Sequence, residues 1–237
     1  MPHPALIILI VALAIFTQTV SGFGLALVSM PLLIEAMGIQ IAAPLVALVA
    51  ITAEVVLLLR HRHALNFSVV RRLSIASVVG VPVGVFLLPR IDERLMLTLL
   101  GLLVTGYALY ALVRPRLPEI QHPRWAYGFG FASGILSGAY NAAGPPIVIY
   151  GSCRRWLPAE FKSNLQGYFV INSVMVILAH TLSQHYTPFV WQNYLIALPG
   201  IGLGLLLGFS LDRLINPLVF RRIVLVLLVV VGLNLIF

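Results

Sequence analysis

The run Gly134-Ile135-Leu136-Ser137-Gly138-Ala139-Tyr140-Asn141-Ala142-Ala143-Gly144-Pro145-Pro146 lies inside an otherwise apolar part of the sequence. Its glycines and two adjacent prolines disfavour a continuous helix, because proline lacks the N–H donor and clashes with the preceding turn. In hydrocarbon a broken helix leaves backbone polar groups bare, which is tolerated only where they face protein or a water-filled cavity. The run therefore predicts a discontinuous membrane helix that lines something polar.

A second interrupted segment occurs near the start of the chain. It reads Val20-Ser21-Gly22-Phe23-Gly24 and is followed by Met30-Pro31. Ser21-Gly22 corresponds to Ser137-Gly138, about 116 positions later. Paired interruptions in matching positions of two halves are the best sequence indication of a transporter's binding site.

The composition is that of an integral membrane protein. Of 237 residues, 60% are hydrophobic and only 9% are charged, whereas soluble domains have roughly 25% charged residues. The net charge of +8 does not indicate nucleic-acid binding, because nearly every arginine falls in a short loop or at a helix end. Cys153 is the one cysteine, and no residues have the spacing of a catalytic or metal site. We expect one membrane domain, residues 1–237, that is not an enzyme and holds no cofactor or metal.

Eight apolar segments have about the 20 residues needed to reach across a bilayer. They fall at 5–34, 39–59, 73–89, 95–113, 125–151, 163–183, 189–211 and 217–237. A proline-containing linker at 114–119 divides them into two repeats of four, residues 1–113 and 125–237. We predict an all-α polytopic membrane protein in which each repeat has one broken or re-entrant helix and three crossing helices.

The positive charges discriminate between two topologies. If all eight segments cross, Lys and Arg divide almost evenly between the two sides of the membrane, against the positive-inside bias. If the segments 5–34 and 125–151 are re-entrant, only Arg90 and Arg94 lie outside. We favour this second arrangement, which makes the halves inverted repeats.

Each break exposes the terminus of a half-helix. A helix N-terminus offers unpaired N–H groups and partial positive charge, so it can bind an anion without a charged side chain. Asn164, Tyr168 and Asn172 recur every fourth residue and therefore share one helix face, which should look toward the breaks. Thr17, Gln18 and Thr19 could contribute from the first segment, and close helix packing is the alternative role for the glycines. The predicted substrate-binding residues are Ser21, Gly22, Gly24, Ser137, Gly138, Asn141, Gly144, Asn164, Tyr168 and Asn172.

Glu54 is the one carboxylate well inside an apolar segment. An intramembrane ionisable group is a functional candidate, and a carboxylate can exchange protons. Glu54 lies about one and a half turns before Arg60, so snorkelling to the cytoplasmic surface or pairing with an arginine from another loop is the alternative. Glu54 is our candidate for proton coupling, and His180 is a weaker one.

The two interrupted segments and the two-half architecture resemble the sulfite exporter TauE/SafE family of bacterial membrane transporters. The resemblance covers essentially the whole chain. It implies a multi-pass protein of the bacterial inner membrane that exports or imports a small sulfur-containing anion, such as sulfite, a sulfonate or a sulfoacetate-like compound. It fixes neither the substrate nor the direction.

Taken together, these features predict a secondary transporter of a small anion, driven by a proton or anion gradient. An anion channel and a membrane-embedded enzyme or assembly subunit are the alternatives. The expected partners are a small anionic substrate and the lipid bilayer, without nucleic acid, and a homo-oligomer is left open.

Overall fold

The computed structural model describes residues 3–87, 90, 92–113, 117–211 and 217–236, and these residues are all-helical, as predicted. Apart from one short 3-10 helix at Arg62–Ala64, the described elements are α1 (Pro4–Ser21), α2 (Leu25–Met37), α3 (Ile39–His61), α4 (Phe67–Leu87), α5 (Glu93–Val113), α6 (Trp125–Tyr140), α7 (Gly144–Cys153), α8 (Pro158–Leu182), α9 (Pro188–Leu211) and α10 (Pro217–Ile236). Residues 114–116 and 212–216, which contribute to the predicted charge distribution, lie outside the described residues.

Six of the described helices are long and apolar enough to cross a membrane. They are α1, α3 (extended to Ala64), α4, α5, α8 and α9, while the apolar part of α10, Arg222–Ile236, is shorter. Length alone does not decide topology, because a helix of sufficient length can also form one arm of a hairpin.

Both predicted helix breaks are present. The residue after α1 is Gly22, with φ 85°, and the residue after α6 is Asn141, with φ 54°. Each N–H donates to the carbonyl four residues earlier, of Gln18 and Ser137 respectively, at 2.7 Å. Glycine and asparagine are the residues that most readily take this left-handed conformation at a helix C-terminus.

The two helix ends can be compared by their spacing in the chain. Gly22 and Asn141 are 119 positions apart (141 − 22), whereas the sequence correspondence of Ser21-Gly22 with Ser137-Gly138 placed the offset at about 116. Ser137 and Gly138 lie inside α6, about one turn before the break. Ser21 therefore immediately precedes the residue that ends its helix, whereas Ser137 lies four residues before Asn141, so the two serines differ in their distance from the break.

The α6–α7 segment doubles back on itself. The Ile120 N–H, before α6, donates to the Cys153 carbonyl, at the end of α7, at 3.0 Å. Arg154 donates to the carbonyls of Ile120 and Gln121 at 2.9 and 2.6 Å. In a segment that crossed straight as one helix, Ile120 and Cys153 would be about 50 Å apart at 1.5 Å per residue. Both ends of α6–α7 therefore lie on the same side of the molecule.

The α1–α2 segment turns back as well. The Ser163 hydroxyl, near the start of α8, donates to the His61 carbonyl at the end of α3. Ser173, further along α8, donates to Glu54, earlier in α3, so these two helices are antiparallel. Gly22, after α1, lies beside Lys162 at that same end. α2 then leads to the start of α3, at the opposite end of α8. α1 and α2 therefore form the two arms of a second hairpin.

Glycines spaced four residues apart hold α4 against α6. A Cβ on Gly80 would lie 3.0 Å from the Ile135 nitrogen, and a Cβ on Gly134 would lie 2.9 Å from the Ser77 Cα. Small residues at this spacing let helix backbones approach closely. α1 packs on α9 in the same manner, through Gly200, Gly204 and Gly208.

Candidate functional site

The two breaks meet at one interior cavity of about 30 Å³, which is room for about two water molecules. The residues 24–27, from the first break, and 142–144, from the second, form part of its wall. The polar side chains that line it are Gln18, Glu54, Ser137, Asn141, Asn172 and Ser173. The cavity is therefore small, polar and built from both halves of the chain.

Two helices begin at the cavity wall. α2 starts at Leu25 and α7 starts at Gly144, and both residues line the cavity. The first N–H groups of a helix have no intrahelical acceptor and carry the positive end of the helix dipole. The first three residues of α7 are Gly144, Pro145 and Pro146. Proline has no N–H, so Gly144 supplies the single N–H among these three positions. The cavity wall thus offers backbone donors suited to an anion.

Glu54 is the one ionisable side chain among the described residues that line this cavity. It is 6% exposed, and its Oε2 accepts a hydrogen bond from the Ser173 hydroxyl at 2.6 Å. The hydrogen-bond partner is thus a serine, whereas the sequence left open an arginine from another loop or the cytoplasmic surface. A buried carboxylate and helix N-termini therefore share one small space.

Five of the ten predicted substrate-binding residues line the cavity: Gly24, Ser137, Asn141, Gly144 and Asn172. The Asn172 amide donates to the Ser137 hydroxyl, which joins α8 to α6. The Asn141 amide donates to the Ala43 carbonyl at 2.7 Å, which joins the second break to α3. These contacts bring the predicted residues of two separate segments to one place.

The structure places two predicted residues in the turn of the first break. The Ser21 hydroxyl donates within its own turn, to the carbonyl of Thr17 at 2.6 Å, and also contacts the Phe23 carbonyl. The Gly22 carbonyl accepts from the Gln166 amide at 2.9 Å. Neither residue lines the cavity, so both shape the turn behind it.

Two residues of the predicted polar face of α8 also lie away from the cavity. Asn164 accepts from the Asn66 N–H at 2.8 Å and so holds the start of α4. The Tyr168 hydroxyl hydrogen-bonds to the Ser77 hydroxyl at 2.7 Å and is fully buried. Of that face, Asn172 alone lines the cavity, because α4 covers the rest.

Gly138 was predicted to bind substrate, but it does not line the cavity. A Cβ at this position would lie 2.8 Å from the Val85 nitrogen and 3.0 Å from the Gly84 Cα. Gly138 therefore faces α4, and its lack of a side chain serves helix packing.

Sequence reasoning missed two polar residues around the cavity, Ser173 and Gln166. Ser173 donates to Glu54, and Gln166 bonds to Gly22 and is 3.5 Å from the Gln18 amide. Both are buried polar residues in an apolar helix, and such residues need a partner or a cavity. That rule applied to every polar residue of segment 163–183 would have found them.

His180 lies outside this cavity. Its Nδ1 is 2.8 Å from Nδ1 of His185, in the loop after α8. Burial lowers the pKa of the His185 imidazole, which favours its neutral form. The pair therefore gives no direct support for a proton role of His180 at the cavity.

Comparison with known proteins identifies the family. The family model described as Sulfite exporter TauE/SafE matches residues 7–235. The probable inner membrane transporter protein TsaS of Comamonas testosteroni is 29% identical over 178 residues, which cover 72% of this chain and 74% of that protein. The probable sulfite/organosulfonate exporter TauE of Cupriavidus necator is 25% identical over 227 residues, which cover 93% of this chain and 88% of that protein. No solved structure matches the chain.

The family and the helices agree on the class of protein. The family is one of transporters and not of enzymes. Six described helices can cross a membrane, and one relative is named an inner membrane transporter. The protein is thus a multi-pass protein of the bacterial inner membrane. The chain belongs to the sulfite exporter TauE/SafE family of membrane transporters.

Proposed function

We propose that the protein is a secondary transporter of a small sulfur-containing anion that binds where the two breaks meet. The observation that carries this proposal is the start of two helices, α2 and α7, at one cavity whose described lining has no Lys, Arg or His. Backbone N–H groups and neutral amides attract an anion but hold it less tightly than a buried arginine would. Weak holding suits a carrier, because the anion must also leave.

The class of anion rests on the family. One relative is named a sulfite/organosulfonate exporter, so sulfite and sulfonates are the substrates to test first. The proposed binding groups are the cavity-lining members of the predicted set, Gly24, Ser137, Asn141, Gly144 and Asn172, with Gln18. Entry of a sulfonate requires the cavity to widen beyond its present 30 Å³.

We propose further that residues 1–113 and 125–237 are inverted repeats. The packing of helices supports this, because α4 lies on α6 as α9 lies on α1, α5 lies on α10, and α3 lies on α8. If each helix of the first half is exchanged with its counterpart in the second half (α1 with α6, α2 with α7, and so on to α5 with α10), the same four pairs result. The antiparallel α3 and α8 support the inversion. A homo-oligomer remains a prediction.

Proton coupling through Glu54 is the third part of the proposal. An ionised carboxylate and an anion in one cavity repel each other strongly at low dielectric. Anion binding should therefore require Glu54 to be protonated, and loss of the proton should expel the anion. This linkage couples one proton to each anion and lets a proton gradient drive transport.

Flux in liposomes tests the proposed function. With purified protein we expect saturable, pH-dependent movement of radiolabelled sulfite or sulfoacetate, and we expect each to raise the unfolding temperature, since a ligand of the native state stabilises it. Empty liposomes are the control. Flux far above carrier turnover would indicate a channel, and absence of binding and flux for both anions would reject the proposal.

Asn141→Leu should weaken sulfite binding and lower the unfolding temperature. The change removes the hydrogen bond to Ala43 and puts a leucine at φ 54°, where most L-residues lose about 1–2 kcal/mol. Asn141→Gly is the matched control, because glycine keeps the turn and lacks only the amide. We expect Asn141→Gly to recover the stability lost through backbone strain, but neither the hydrogen bond to Ala43 nor the affinity. Full affinity in both variants would remove Asn141 from the site.

The hairpin form of α6–α7 makes a prediction about sidedness. In a Cys153→Ser background, single cysteines at Gln121 and Ala159 flank this segment at exposed positions. Both should react with an impermeant thiol reagent only in inside-out vesicles. A cysteine at Gln184, in the loop after α8, should react in intact cells and is the control. Labelling of Gln121 and Ala159 from opposite faces would contradict the re-entrant topology.

A further inference from the structure

A serine that sequence reasoning did not single out holds the start of α7. The Ser133 hydroxyl, in α6, donates to the Ala143 carbonyl at 2.6 Å, across the two arms of the hairpin. Ser133 is fully buried, at 0% exposed, and does not line the cavity. The hydrogen bond therefore holds Ala143, a residue of the cavity wall, from the side away from the cavity.

Because the peptide group is planar, the hydrogen bond to the Ala143 carbonyl also orients the Gly144 N–H. In a trans peptide the C=O and the following N–H point in opposite directions. The peptide that joins Ala143 to Gly144 has its carbonyl held by Ser133 on one side, and both residues line the cavity. Its N–H is thus directed away from Ser133. Because Pro145 and Pro146 have none, this N–H is the donor that the first turn of α7 can offer.

A tyrosine supports the serine. The Tyr168 hydroxyl interacts with Ser133 and lies 2.7 Å from the Ser77 hydroxyl. It also lies 3.4 Å from Oδ1 of Asn172, whose amide donates to Ser137 at the cavity wall. The Tyr168 hydroxyl therefore connects Asn172, which is proposed to bind the anion, with Ser133, which holds the carbonyl of Ala143.

The first hairpin lacks this support. With the offset of 119 between Gly22 and Asn141, Ser133 corresponds to Ala14 and Tyr168 to Val49, and neither of these has a side-chain hydroxyl. In the turn before α2 the Ser21 hydroxyl contacts the Phe23 carbonyl from within the same turn, and the residue that precedes α2 is Gly24, with φ 108°. A hydroxyl brace that comes from the body of the preceding helix is thus present at the second break and absent at the first.

We infer that Ser133 and Tyr168 are positioning residues that fix the Ala143–Gly144 peptide with its N–H toward the anion, and that α6–α7 is the more rigid half of the binding site. This inference rests on the proposed function. It differs from the expectation that Tyr168 itself binds substrate, because it places Tyr168 behind the cavity wall.

Two variants test the inference, with one matched control. Ser133→Ala removes the hydroxyl that holds Ala143, and Tyr168→Phe removes the hydroxyl behind it without changing the ring. Ser74→Ala is the control, because the buried Ser74 hydroxyl has no hydrogen-bond partner within the described part of the chain. Binding of sulfite and sulfoacetate and amide hydrogen exchange of the full-length protein are measured for each.

We expect Ser133→Ala to weaken binding of these anions by about tenfold, the usual scale for one lost hydrogen bond. Exchange should rise at the amides of Ile147–Gly151, at the start of α7, and stay unchanged at Leu25–Leu27. Tyr168→Phe should act in the same direction, and the double variant should lose less than the sum, since the two residues belong to one network. Ser74→Ala should match the wild type.

Two results would overturn the inference in distinguishable ways. Wild-type affinity and wild-type exchange in Ser133→Ala would show that the peptide needs no brace, whatever the substrate. Failure of the wild type to bind either anion would reject the proposed function, and the positioning role would fall with it. A purely structural role would lower stability without the local rise in exchange, and this also counts against the inference.

Discussion

Glu54→Gln is expected to abolish pH-driven anion transport while anion exchange continues. Glutamine has nearly the same size as glutamate and can still accept the hydrogen bond from Ser173, but it carries no proton to release. The variant therefore resembles protonated Glu54 permanently, so the cavity can hold the anion at any pH. Net flux driven by a pH gradient should fall by about a hundredfold or more, the usual loss when a positioned proton-transfer group is removed.

The measurement uses liposomes with sulfite or sulfoacetate. Flux is recorded once under an imposed pH gradient and once as exchange of labelled for unlabelled anion at equal pH. In the wild type, anion should move faster with the proton gradient than against it, because protonation of Glu54 favours anion binding. Glu35→Gln is the control, since Glu35 is exposed near the end of α2 and outside this cavity. Normal pH-driven flux in Glu54→Gln would make Glu54 a structural residue.

Gly138→Ala is expected to be the most destabilising of the single-methyl changes tested at the second break. The added Cβ would lie 2.8 Å from the Val85 nitrogen and 3.0 Å from the Gly84 Cα, and both neighbours are backbone atoms that cannot rotate away. α4 and α6 would have to separate along their whole glycine contact. Overpacking of this kind costs about 1–3 kcal/mol or more, and leucine at this position should prevent folding.

Two glycines provide the comparison. A Cβ on Gly144 would meet its nearest atoms, in Phe23, at 3.7 Å, and a Cβ on Gly106 would meet no atom within 4 Å. Gly144→Ala and Gly106→Ala should therefore unfold at temperatures close to that of the wild type, measured in detergent by loss of the monodisperse peak. Equal stability of Gly138→Ala and Gly144→Ala would show that Gly138 does not sit at a close helix contact.

The sequence alone was sufficient for features that depend on local chemistry. Apolar composition determined the membrane class, and the glycines and prolines around Gly22 and Gly144 determined where the helices break. A residue that takes φ 54° or 85° does so because of its own steric freedom and its neighbours in the chain. Such effects can be read without knowing what packs nearby. Glu54 could also be identified from sequence, because burying a carboxylate in an apolar membrane segment costs free energy and therefore indicates a function.

Only the tertiary structure decided which side chains face the cavity. In sequence Tyr168 shares a helix face with Asn172, and Gly138 is adjacent to Ser137, but α4 packs on the side that Gly138 and Tyr168 occupy. Ser133 has no distinguishing neighbour in sequence, and its role depends on α7 folding back to bring Ala143 within 2.6 Å. The role of a helix face depends on which helix packs against it. Here α4 packs against α6 through close backbone contacts between residues far apart in the chain. The sequence therefore locates the breaks, and the packing of α4, α6 and α8 assigns the residues around them.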